Sequence, residues 1–421
     1  MTKSEKLNFL ILFLLGGVSS FSLPPYNFFF INLFTIPFFF YILVKYLNQN
    51  LLNNFLIGWV YGFGYFLSNL YWISNSLRFD ENFDNLIIFS IIIIPFFLSI
   101  FYGLFSILLK FFNIKMNLSS ILIFSLIISI FEYLRGTIFG GFPWNLISFS
   151  LIEFTSTLQL LNLIGTYSFN LLTITFYCLP VIIFFKISNV TKFSIIFTST
   201  VFLFANSYYG DIRIKKIEQA DKKQISPAIK LVSPRFKIER FFIKEPIESK
   251  LIDLFDIGYP LNKDYLLVFP EGITNMGELN KFENDFSKIS DQLTNNTKII
   301  LGITLDDGEK IYNSLALFNK KFILEDYYNK NKLVPFGEFL PFEKYFAKVG
   351  LKKITEGYGS FSKGEMIETY KYANINIIPL ICYEIIFPRL LQTFKFENNI
   401  IVNISEDAWF GNSIGPYQHF S

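Results

Sequence analysis

The sequence has very few of the residues that usually bind metals or form disulfides. It contains one histidine, His419, and two cysteines, Cys178 and Cys382. A single histidine excludes a multi-histidine zinc or iron site and argues against a Ser-His-Asp triad, and two cysteines exclude a disulfide scaffold. We therefore predict that no metal or other cofactor takes part, and that any catalysis uses carboxylates, lysine, tyrosine or a lone thiol.

Charged residues are also scarce. They make up 17% of the 421 residues, whereas 52% are hydrophobic and 55 are Phe. Soluble domains are about one quarter charged, so this composition indicates a protein in contact with lipid. The 37 basic and 34 acidic residues nearly cancel. Because no basic field is left to attract nucleic acid, we predict no nucleic-acid partner.

Apolar character is concentrated before residue 210. Runs with almost no charge lie at 7–23, 28–44, 55–73, 86–109, 118–134, 158–185 and 193–209. Each has the roughly 17–25 residues that cross the hydrocarbon core of a bilayer as a helix. We predict seven membrane spans. The first run could instead be a signal peptide, but it lacks a small-residue cleavage site and further spans follow it, so we predict that it is retained.

The basic residues of the short loops predict how these spans are oriented, because lysine resists translocation across the membrane. Those assigned to the cytoplasmic side are Lys3, Lys6, Lys45, Lys110, Lys115, Lys186 and Lys192. Seven spans from an inside N-terminus place the chain after residue 210 on the outside. Glu132 and Arg135, near the end of the fifth span, are predicted to be an ion pair that stabilises the helix bundle rather than a catalytic couple.

From residue 211 the composition is that of a folded aqueous domain. Short β-rich runs alternate with polar stretches of helical length, which is typical of an α/β or layered α+β domain. The runs are Ala228–Val232, Tyr265–Phe269, Ile299–Thr304, Asn376–Ile381 and Asn399–Ile404. We therefore predict a membrane domain over residues 1–210 and an extracytoplasmic domain over residues 211–421.

Cys382 directly follows the strand-like run Ile377–Ile381, where an α/β fold exposes side chains to a cleft. On the predicted topology it is an unpaired thiol in an oxidising compartment, because Cys178 lies inside the sixth span. Such a thiol is a liability unless it is used, which makes Cys382 a candidate nucleophile. A buried core cysteine explains the same pattern equally well.

Three charged residues could assist a thiol nucleophile. Glu271 also follows an apolar strand-like run and could act as a general base, although a capping or solvated glutamate is the commoner explanation. Lys330 could place an ammonium near a developing oxyanion, and Glu338 could orient the reacting group. A turn with solvated lysines explains that segment as well.

Together these segments have the order of a known triad. They resemble the Glu-Lys-Cys triad of the nitrilase, or carbon–nitrogen hydrolase, superfamily. The segments are, in order, Pro270-Glu271, Tyr328-Asn329-Lys330 with Leu333-Val334-Pro335-Phe336-Gly337-Glu338, and Cys382-Tyr383-Glu384. Other motifs resemble signatures of the apolipoprotein N-acyltransferase family. They are Glu132-Tyr133-Leu134-Arg135-Gly136, Gly141-Phe142-Pro143-Trp144, Asp407-Ala408-Trp409-Phe410-Gly411 and Ser413-Ile414-Gly415-Pro416. The resemblance covers essentially the whole chain.

The resemblance implies a multi-span α-helical membrane domain plus an α/β nitrilase-like domain, a four-layer α-β-β-α sandwich. The implied catalytic residues are Glu271, Lys330 and Cys382, and the implied supporting or pocket residues are Glu338, Tyr383 and Glu384. The implied reaction is ping-pong transfer of a fatty acyl chain from phospholipid, through a cysteine thioester, to the α-amino group of the diacylglyceryl-cysteine of an apolipoprotein. This step ends bacterial lipoprotein maturation at the inner membrane, and we expect the enzyme to be a monomer.

Two other functions fit the same residues. A membrane-anchored amidase or nitrilase would use the same triad with water as the final acceptor. A non-catalytic membrane transporter or binding protein would tolerate Cys382→Ser without effect. The amphipathic stretch 342–349 could be a lid that gates lipid entry, or a helix packed on its own domain.

The sequence departs from the family pattern at a few places. Lys332 stands where His is common, Glu406 replaces the Asn usual before Asp407, and only Phe241 and Phe242 lie near the position of a functional Trp, so no role is transferred there. Family members continue past the Gly-Pro-x-Gln-His stretch to complete the soluble domain and add an eighth span. We therefore expect a fragment whose sheet and core are incomplete, which could fold poorly or be inactive.

Overall fold

The computed structural model describes residues 3–78, 84–220, 228–233, 263–281, 287–335, 337–339, 360–365, 368–392, 394 and 399–421. The chain forms two compact units. The first comprises Met1–Asn75, Asp84–Asp221 and Phe410–Ser421, and the second comprises Ser76–Phe83 and Lys222–Trp409. The stretches that contain Phe241, Phe242 and the amphipathic segment 342–349 lie outside the described residues.

The first unit is helical. Its helices are α1 (Lys3–Ser19), α2 (Asn32–Tyr46), α3 (Leu51–Leu70), α4 (Asp84–Phe111), α5 (Leu118–Arg135), α6 (Thr155–Leu158), α7 (Leu161–Cys178), α8 (Asn189–Gln219) and α11 (Gly415–Phe420). Short 3₁₀ turns lie at Ser20–Ser22, Phe29–Ile31, Tyr71–Leu77, Ile147–Leu151 and Leu179–Phe184. The N-cap residues of α3, α5 and α8 are Asn50, Asn117 and Ser188. The side chain of each accepts a hydrogen bond from the backbone N–H three residues later, which stabilises the start of the helix.

Each of the seven apolar runs contains a helix, but these helices differ in length and hydropathy. In the described part of the chain, five helical segments are long and apolar enough to cross a membrane: Phe29–Tyr46, Ile87–Phe111, Leu118–Arg135, Leu161–Phe184 and Asn189–Gln219. The apolar part of α1, Leu7–Ser22, is shorter. The 20 residues of α3 include asparagines and glycines, which lower its hydropathy. These five helices are those of a membrane protein, whereas spans at α1 and α3, two of the seven predicted, remain predictions.

The glycines of α3 explain why a helix of modest hydropathy belongs in this bundle. A Cβ added to Gly64 would lie 2.1 Å from the carbonyl oxygen of Phe13 on α1. Only glycine allows the two helix backbones to approach this closely, as is usual for helix pairs in membranes. The residues that reduce the hydropathy of α3 therefore serve its packing against α1.

The predicted ion pair between Glu132 and Arg135 is confirmed. Both side chains are buried, and Arg135 Nε donates to Glu132 Oε2 at 2.9 Å. The hydroxyl of Tyr102 donates to Glu132 Oε1 at 2.8 Å, and the guanidinium also donates to the carbonyl oxygen of Phe142. Because a buried ion pair is stable only when its remaining hydrogen-bonding groups are satisfied, these contacts keep the pair inside the bundle.

The segment Phe410–Ser421 packs within the first unit, although it follows the second unit in sequence. Phe410 meets the ring of Trp72 edge to face with centroids 4.7 Å apart. His419 stacks on Trp144 with centroids 5.7 Å apart and an angle of 19° between the rings. The single histidine of the chain is thus part of an aromatic cluster.

Gln418 connects α11 to four groups of the first unit. Its Oε1 accepts hydrogen bonds from the indole N–H groups of Trp72 at 3.2 Å and Trp144 at 3.1 Å. Its Nε2 donates to the carbonyl oxygen of Pro24 at 3.3 Å and to Asn69 Oδ1 at 3.4 Å. Both indole rings are buried. The single side chain of Gln418 therefore supplies the hydrogen-bond acceptor for the N–H groups of both.

We expect Gln418→Leu to release α11 from this surface. The change leaves two buried N–H groups without an acceptor, which costs about 1–3 kcal/mol for each unsatisfied group. Hydrogen exchange of the amides in α11 should therefore be much faster than in the wild type. The control is Tyr417→Ala at the exposed neighbouring position, where exchange should change little. Equal protection of the α11 amides in wild type and Gln418→Leu would show that the hydrogen bonds of Gln418 do not hold α11 in place.

Among its described residues, the second unit contains two β-sheets and two α-helices. The first sheet has the order β1 (Ala228–Leu231), β2 (Tyr265–Val268), β4 (Lys298–Asp306), β5 (Ile311–Asn319) and β6 (Leu324–Asn329), with β3 (Thr274–Asn275) beside β4. The second sheet has the order β7 (Tyr370–Tyr372), β8 (Ile375–Ile381) and β9 (Asn399–Ile404). Strands β1, β2 and β4 are parallel, β5 and β6 continue antiparallel, and β8 and β9 are parallel. The helices are α9 (Met276–Lys281) and α10 (Ser287–Ser290), with 3₁₀ turns at Cys382–Ile386, Pro388–Leu391 and Asp407–Phe410.

The layers follow from which residues share a core. Leu266 and Ile300 of the first sheet and Ile377 of the second belong to one buried cluster, so the sheets pack face to face. On the other face of the first sheet, Ile299 packs with residues of the helical side. Ile378 alternates with Ile377 and is also fully buried, so the outer face of the second sheet is covered. The described residues therefore show a helical layer and two face-to-face sheets, as in the predicted α-β-β-α sandwich. The fold class, a helical membrane domain plus a nitrilase-like domain, is confirmed.

All five predicted strands are present, as β1, β2, β4, β8 and β9. The sequence pattern does not predict the short strands β3 and β7, or the longer strands β5 and β6. The residues of β5 and β6 include the polar stretches Asn313-Ser314 and Glu325-Asp326, which interrupt the apolar pattern. These two longer strands carry part of the candidate site.

Candidate active site

Each of the three predicted catalytic residues lies just beyond the end of a strand. Glu271 follows β2, Lys330 follows β6 and Cys382 follows β8. Strand β4 runs parallel to β2, and two antiparallel pairings, β4 with β5 and β5 with β6, give β6 the same direction. The carboxyl ends of β2 and β6 therefore lie at the same edge of the first sheet. The packing of the second sheet on the first brings the end of β8 to the same core, against which Cys382 packs.

Lys330 is held between two carboxylates. Its Nζ lies 3.3 Å from Glu271 Oε1 and 3.0 Å from Glu338 Oε1, and the side chain is 1% exposed. Burial disfavours the ammonium charge, but the charges of Glu271 and Glu338, with smaller contributions from Cys382 and Glu384, raise the pKa of Lys330 well above its usual value. Lys330 is therefore a fixed cation at neutral pH.

Asn313 belongs to the same cluster, and the sequence analysis did not predict it. Its Nδ2 donates to Glu271 Oε1 and to Glu338 Oε1, both at 2.7 Å. Its carbonyl oxygen accepts from the backbone N–H of Lys330 at 2.8 Å. The only signal in the sequence is an asparagine within an otherwise apolar strand, and its meaning depends on the register of β5.

Backbone contacts fix the positions of the two carboxylates. Gly302 on β4 lies against the turn that carries Glu271, and an added Cβ there would be 2.4 Å from Glu271 Cα. The Gly302 N–H donates to the carbonyl oxygen of Pro270 at 3.1 Å. Glu338 Oε2 accepts from the backbone N–H of Val334 at 2.8 Å. Close backbone packing thus holds Glu271, and a turn holds Glu338.

Cys382 has a backbone conformation that is rare for residues other than glycine. Its φ angle is +51°, in the left-handed region, where a side chain is strained. The turn begins immediately at the end of β8, and the carbonyl oxygen of Cys382 accepts a hydrogen bond from Asn403 Nδ2 at 3.3 Å. The thiol is partly exposed, whereas Cys178 is buried in α7. Cys382 thus has a strained backbone, a partly exposed thiol and a position at a strand end, features that suit a candidate nucleophile.

Glu384 joins the cysteine turn to the lysine loop. Its Oε1 accepts from Tyr328 Oη at 2.8 Å and from the backbone N–H groups of Asn331 at 2.7 Å and Lys332 at 2.9 Å. Its Oε2 accepts from the Ile381 N–H at 2.9 Å. Burial raises the pKa of Glu384, and these hydrogen bonds and the charge of Lys330 oppose that effect. The carboxylate therefore ties the chain before Cys382 to the chain after Lys330.

Tyr383 is buried beside the cysteine turn and meets the ring of Phe387 edge to face, with centroids 5.0 Å apart. The ammonium of Lys332 lies over the other ring of this pair, 5.4 Å from the Phe387 centroid. Lys332, which stands where the family often has His, is thus placed beside the aromatic pair and not in the carboxylate cluster.

Known proteins match both units. Residues 15–179 match the family model described as the apolipoprotein N-acyltransferase N-terminal domain, and residues 265–421 match the one described as carbon-nitrogen hydrolase. The apolipoprotein N-acyltransferase of Rhizobium rhizogenes is 28% identical over 382 residues, which cover 87% of this chain and 70% of that protein. That of Rickettsia typhi is 30% identical over 428 residues, which cover 98% of this chain and 82% of that protein. The chain belongs to the apolipoprotein N-acyltransferase family.

Glu406, which replaces the Asn usual in this N-acyltransferase family, lies in a loop that also reaches the site. The backbone N–H of Glu406 donates to Glu271 Oε2 at 3.2 Å, while Glu406 Oε1 accepts from the Ala408 N–H at 3.0 Å. The Glu406 side chain thus caps its own loop, and its backbone N–H meets Glu271. The replacement of Asn by Glu at this position therefore does not remove the backbone contact.

The geometry of the N-acyltransferase site supplies the parts of nucleophilic acyl transfer. Glu271 is a carboxylate with one oxygen bound to Lys330 and Asn313, Lys330 is a buried cation, and Cys382 is a partly exposed thiol in the turn after β8. A base, a fixed positive charge and a nucleophile are the components that covalent catalysis requires.

Proposed function

We propose that this protein transfers a fatty acyl chain from a phospholipid to the N-terminal α-amino group of the diacylglyceryl-cysteine of an apolipoprotein. The observation that carries the proposal is the buried ammonium of Lys330, which Glu271 and Glu338 hold in the same unit as the partly exposed thiol of Cys382. The names of the relatives supply the reaction class and the lipoprotein acceptor.

The first half-reaction forms a thioester. Glu271 accepts the proton of the Cys382 thiol, and the sulfur attacks the ester carbonyl carbon of the phospholipid. Lys330 and the backbone N–H of Tyr383, directly after the nucleophile, stabilise the oxyanion of the tetrahedral intermediate. The ester C–O bond breaks, the leaving alkoxide takes the proton from Glu271, and lysophospholipid departs.

The second half-reaction resolves the thioester. The α-amino group of the diacylglyceryl-cysteine attacks the thioester carbonyl carbon, and Glu271 accepts a proton from the nitrogen as the amide forms. The C–S bond breaks and the proton returns to the sulfur. The products are the N-acylated lipoprotein and the free Cys382 thiol, so the cycle needs no water and no cofactor.

The base in both steps is Glu271 rather than Lys330. The raised pKa of Lys330 keeps its ammonium protonated throughout the neutral range, so it acts as a charge and not as a proton acceptor. Glu338 positions Lys330 from the opposite side, Glu384 fixes the turn of Cys382, and Tyr383 shapes the pocket beside the nucleophile.

We further propose a location and a topology. The first unit, which includes α8 up to Gln219 and the segment Phe410–Ser421 rather than ending at residue 210, is embedded in the bacterial inner membrane. The second unit is the catalytic domain on the outer side of this membrane. The loop lysines support this orientation. The membrane domain allows both lipid substrates to arrive laterally, and a single chain contains all the proposed catalytic groups, so the enzyme acts as a monomer.

The test is to identify which acceptor resolves the acyl-enzyme. The purified protein in mixed micelles is given phospholipid and a peptide whose N-terminal cysteine carries diacylglycerol, and the products are measured by mass spectrometry. We expect N-acyl peptide and lysophospholipid in equal amounts, and neither with Cys382→Ala. Release of free fatty acid without N-acyl peptide would instead establish a hydrolase of the amidase or nitrilase type.

A further inference from the structure

Asn313 makes the same two contacts as the proposed catalytic lysine. Its Nδ2 and the Nζ of Lys330 donate to one pair of oxygens, Glu271 Oε1 and Glu338 Oε1. The four groups form a closed ring in which two donors alternate with two acceptors. Asn313 is 8% exposed, so the ring is largely removed from solvent, where each hydrogen bond is strengthened.

The two carboxylate oxygens of Glu271 accept different numbers of hydrogen bonds. Oε1 accepts from both Asn313 and Lys330, at 2.7 and 3.3 Å. Among the described residues, Oε2 accepts one hydrogen bond, from the backbone N–H of Glu406 at 3.2 Å. Oε2 therefore keeps a lone pair for a proton, and Oε1 does not.

From this geometry we infer that Asn313 is a positioning residue for acyl transfer: it occupies Glu271 Oε1 so that Oε2 is the oxygen that takes the thiol proton. The inference rests on the proposed function, because it assumes that Glu271 is the base for Cys382. It adds a residue from β5 that lies outside the Glu-Lys-Cys motif.

The amide is suited to this position because it is neutral. Glu271 and Glu338 carry two negative charges against the single positive charge of Lys330, and Cys382, Glu384 and the backbone of Glu406 also face the cluster. A second cation at position 313 would neutralise the excess and weaken Glu271 as a base. A carboxylate there would add a third negative charge to a buried site.

The experiment measures how readily Cys382 is deprotonated, with no lipid present. The purified protein is treated with iodoacetamide between pH 5 and 10, and the alkylation rate of Cys382 is followed by peptide mass mapping. Asn313→Asp should move the midpoint of the rate profile upward by about one to three pH units, as expected for an added neighbouring negative charge. Asn313→Leu removes both hydrogen bonds without adding charge, and should move the midpoint upward by less.

Two further variants separate this role from a merely structural one. In the double variant Asn313→Asp with Glu338→Gln, the amide and the carboxylate exchange places and the cluster again has two carboxylates, so the midpoint should return toward the wild type. The control Asn319→Ala, at the other end of β5, removes an amide that accepts from the N–H groups of Lys321 and Ile323 in a turn. Its profile should match the wild type.

An unchanged midpoint in both Asn313→Asp and Asn313→Leu would overturn the inference, even if either variant lost acyl transfer. If one of them fails to fold, the midpoint of the other decides. Because alkylation needs neither donor nor acceptor, the readout is separate from the proposed function. A shifted midpoint in a protein that never acylates a peptide would support Asn313 as the positioning residue and reject the acyltransferase.

Discussion

Replacing Lys330 by Met is expected to abolish acyl transfer and to destabilise the catalytic unit. In the wild type, Lys330 Nζ lies 3.3 Å from Glu271 Oε1 and 3.0 Å from Glu338 Oε1. Without the ammonium, the two carboxylates face each other at a buried position. Removing one partner of a buried ion pair costs about 3–5 kcal/mol of stability. Loss of the charge that stabilises the oxyanion lowers kcat by about 10²–10³-fold in addition.

The measurement is chemical unfolding of the purified protein together with the rate of lysophospholipid release. Lys298→Met is the matched control, because Lys298 also pairs with a glutamate, Glu325, but their side chains are 23% and 33% exposed. An exposed pair contributes less than about 1 kcal/mol. Equal stability losses in the two variants, or a Lys330→Met protein that releases lysophospholipid as fast as the wild type, would contradict the role given to this cation.

Glu384→Gln is expected to disorder the nucleophile turn although the side chain keeps its shape. The amide can still accept from Tyr328, Asn331 and Lys332 through one oxygen, but its NH₂ group then faces the N–H of Ile381, which loses its acceptor. A buried N–H without an acceptor costs about 1–3 kcal/mol. Displacement of the nucleophile by about 1 Å can cost 10²-fold in rate.

Tyr328→Phe separates this effect from a general loss of packing. It removes one of the four donors to Glu384 and leaves the Ile381 N–H bonded to the carboxylate. We expect the rate of Cys382 acylation to fall far less in Tyr328→Phe than in Glu384→Gln. If Glu384→Gln acylates at the wild-type rate, Glu384 does not position the nucleophile.

The order of short motifs predicts Glu271, Lys330 and Cys382 as the catalytic residues, and the structure places each of them just beyond the end of a strand. The apolar runs before Glu271 and Cys382 form β2 and β8 in the structure. Strand β6, which precedes Lys330, was not predicted, because Glu325 and Asp326 interrupt its pattern at the sheet edge. Asn313 was not predicted for a related reason. Its contact with Glu271 joins residues 42 positions apart and exists only in the observed register of β4 and β5.

The membrane part was predictable in its helices but not in its packing. Hydropathy marks where the helices lie, yet α3 packs through glycine and is too polar to satisfy the hydropathy criterion for a span. The boundary at residue 210 rested on composition. The structure shows instead that α8 continues to Gln219 and that Phe410–Ser421 packs in the first unit. The bond from Trp144 to Gln418 spans 274 positions, and no local pattern indicates it.

The central claim is that Cys382 carries the acyl group, and intact mass spectrometry tests it most directly. The purified protein is incubated with phospholipid in the absence of an acceptor, and wild type is compared with Cys382→Ala. We predict that the wild type gains the mass of one fatty acyl chain, that hydroxylamine removes this mass, and that Cys382→Ala gains nothing. A folded wild-type protein that acquires no hydroxylamine-labile acyl group, or one that acquires it equally in Cys382→Ala, would contradict the thioester mechanism.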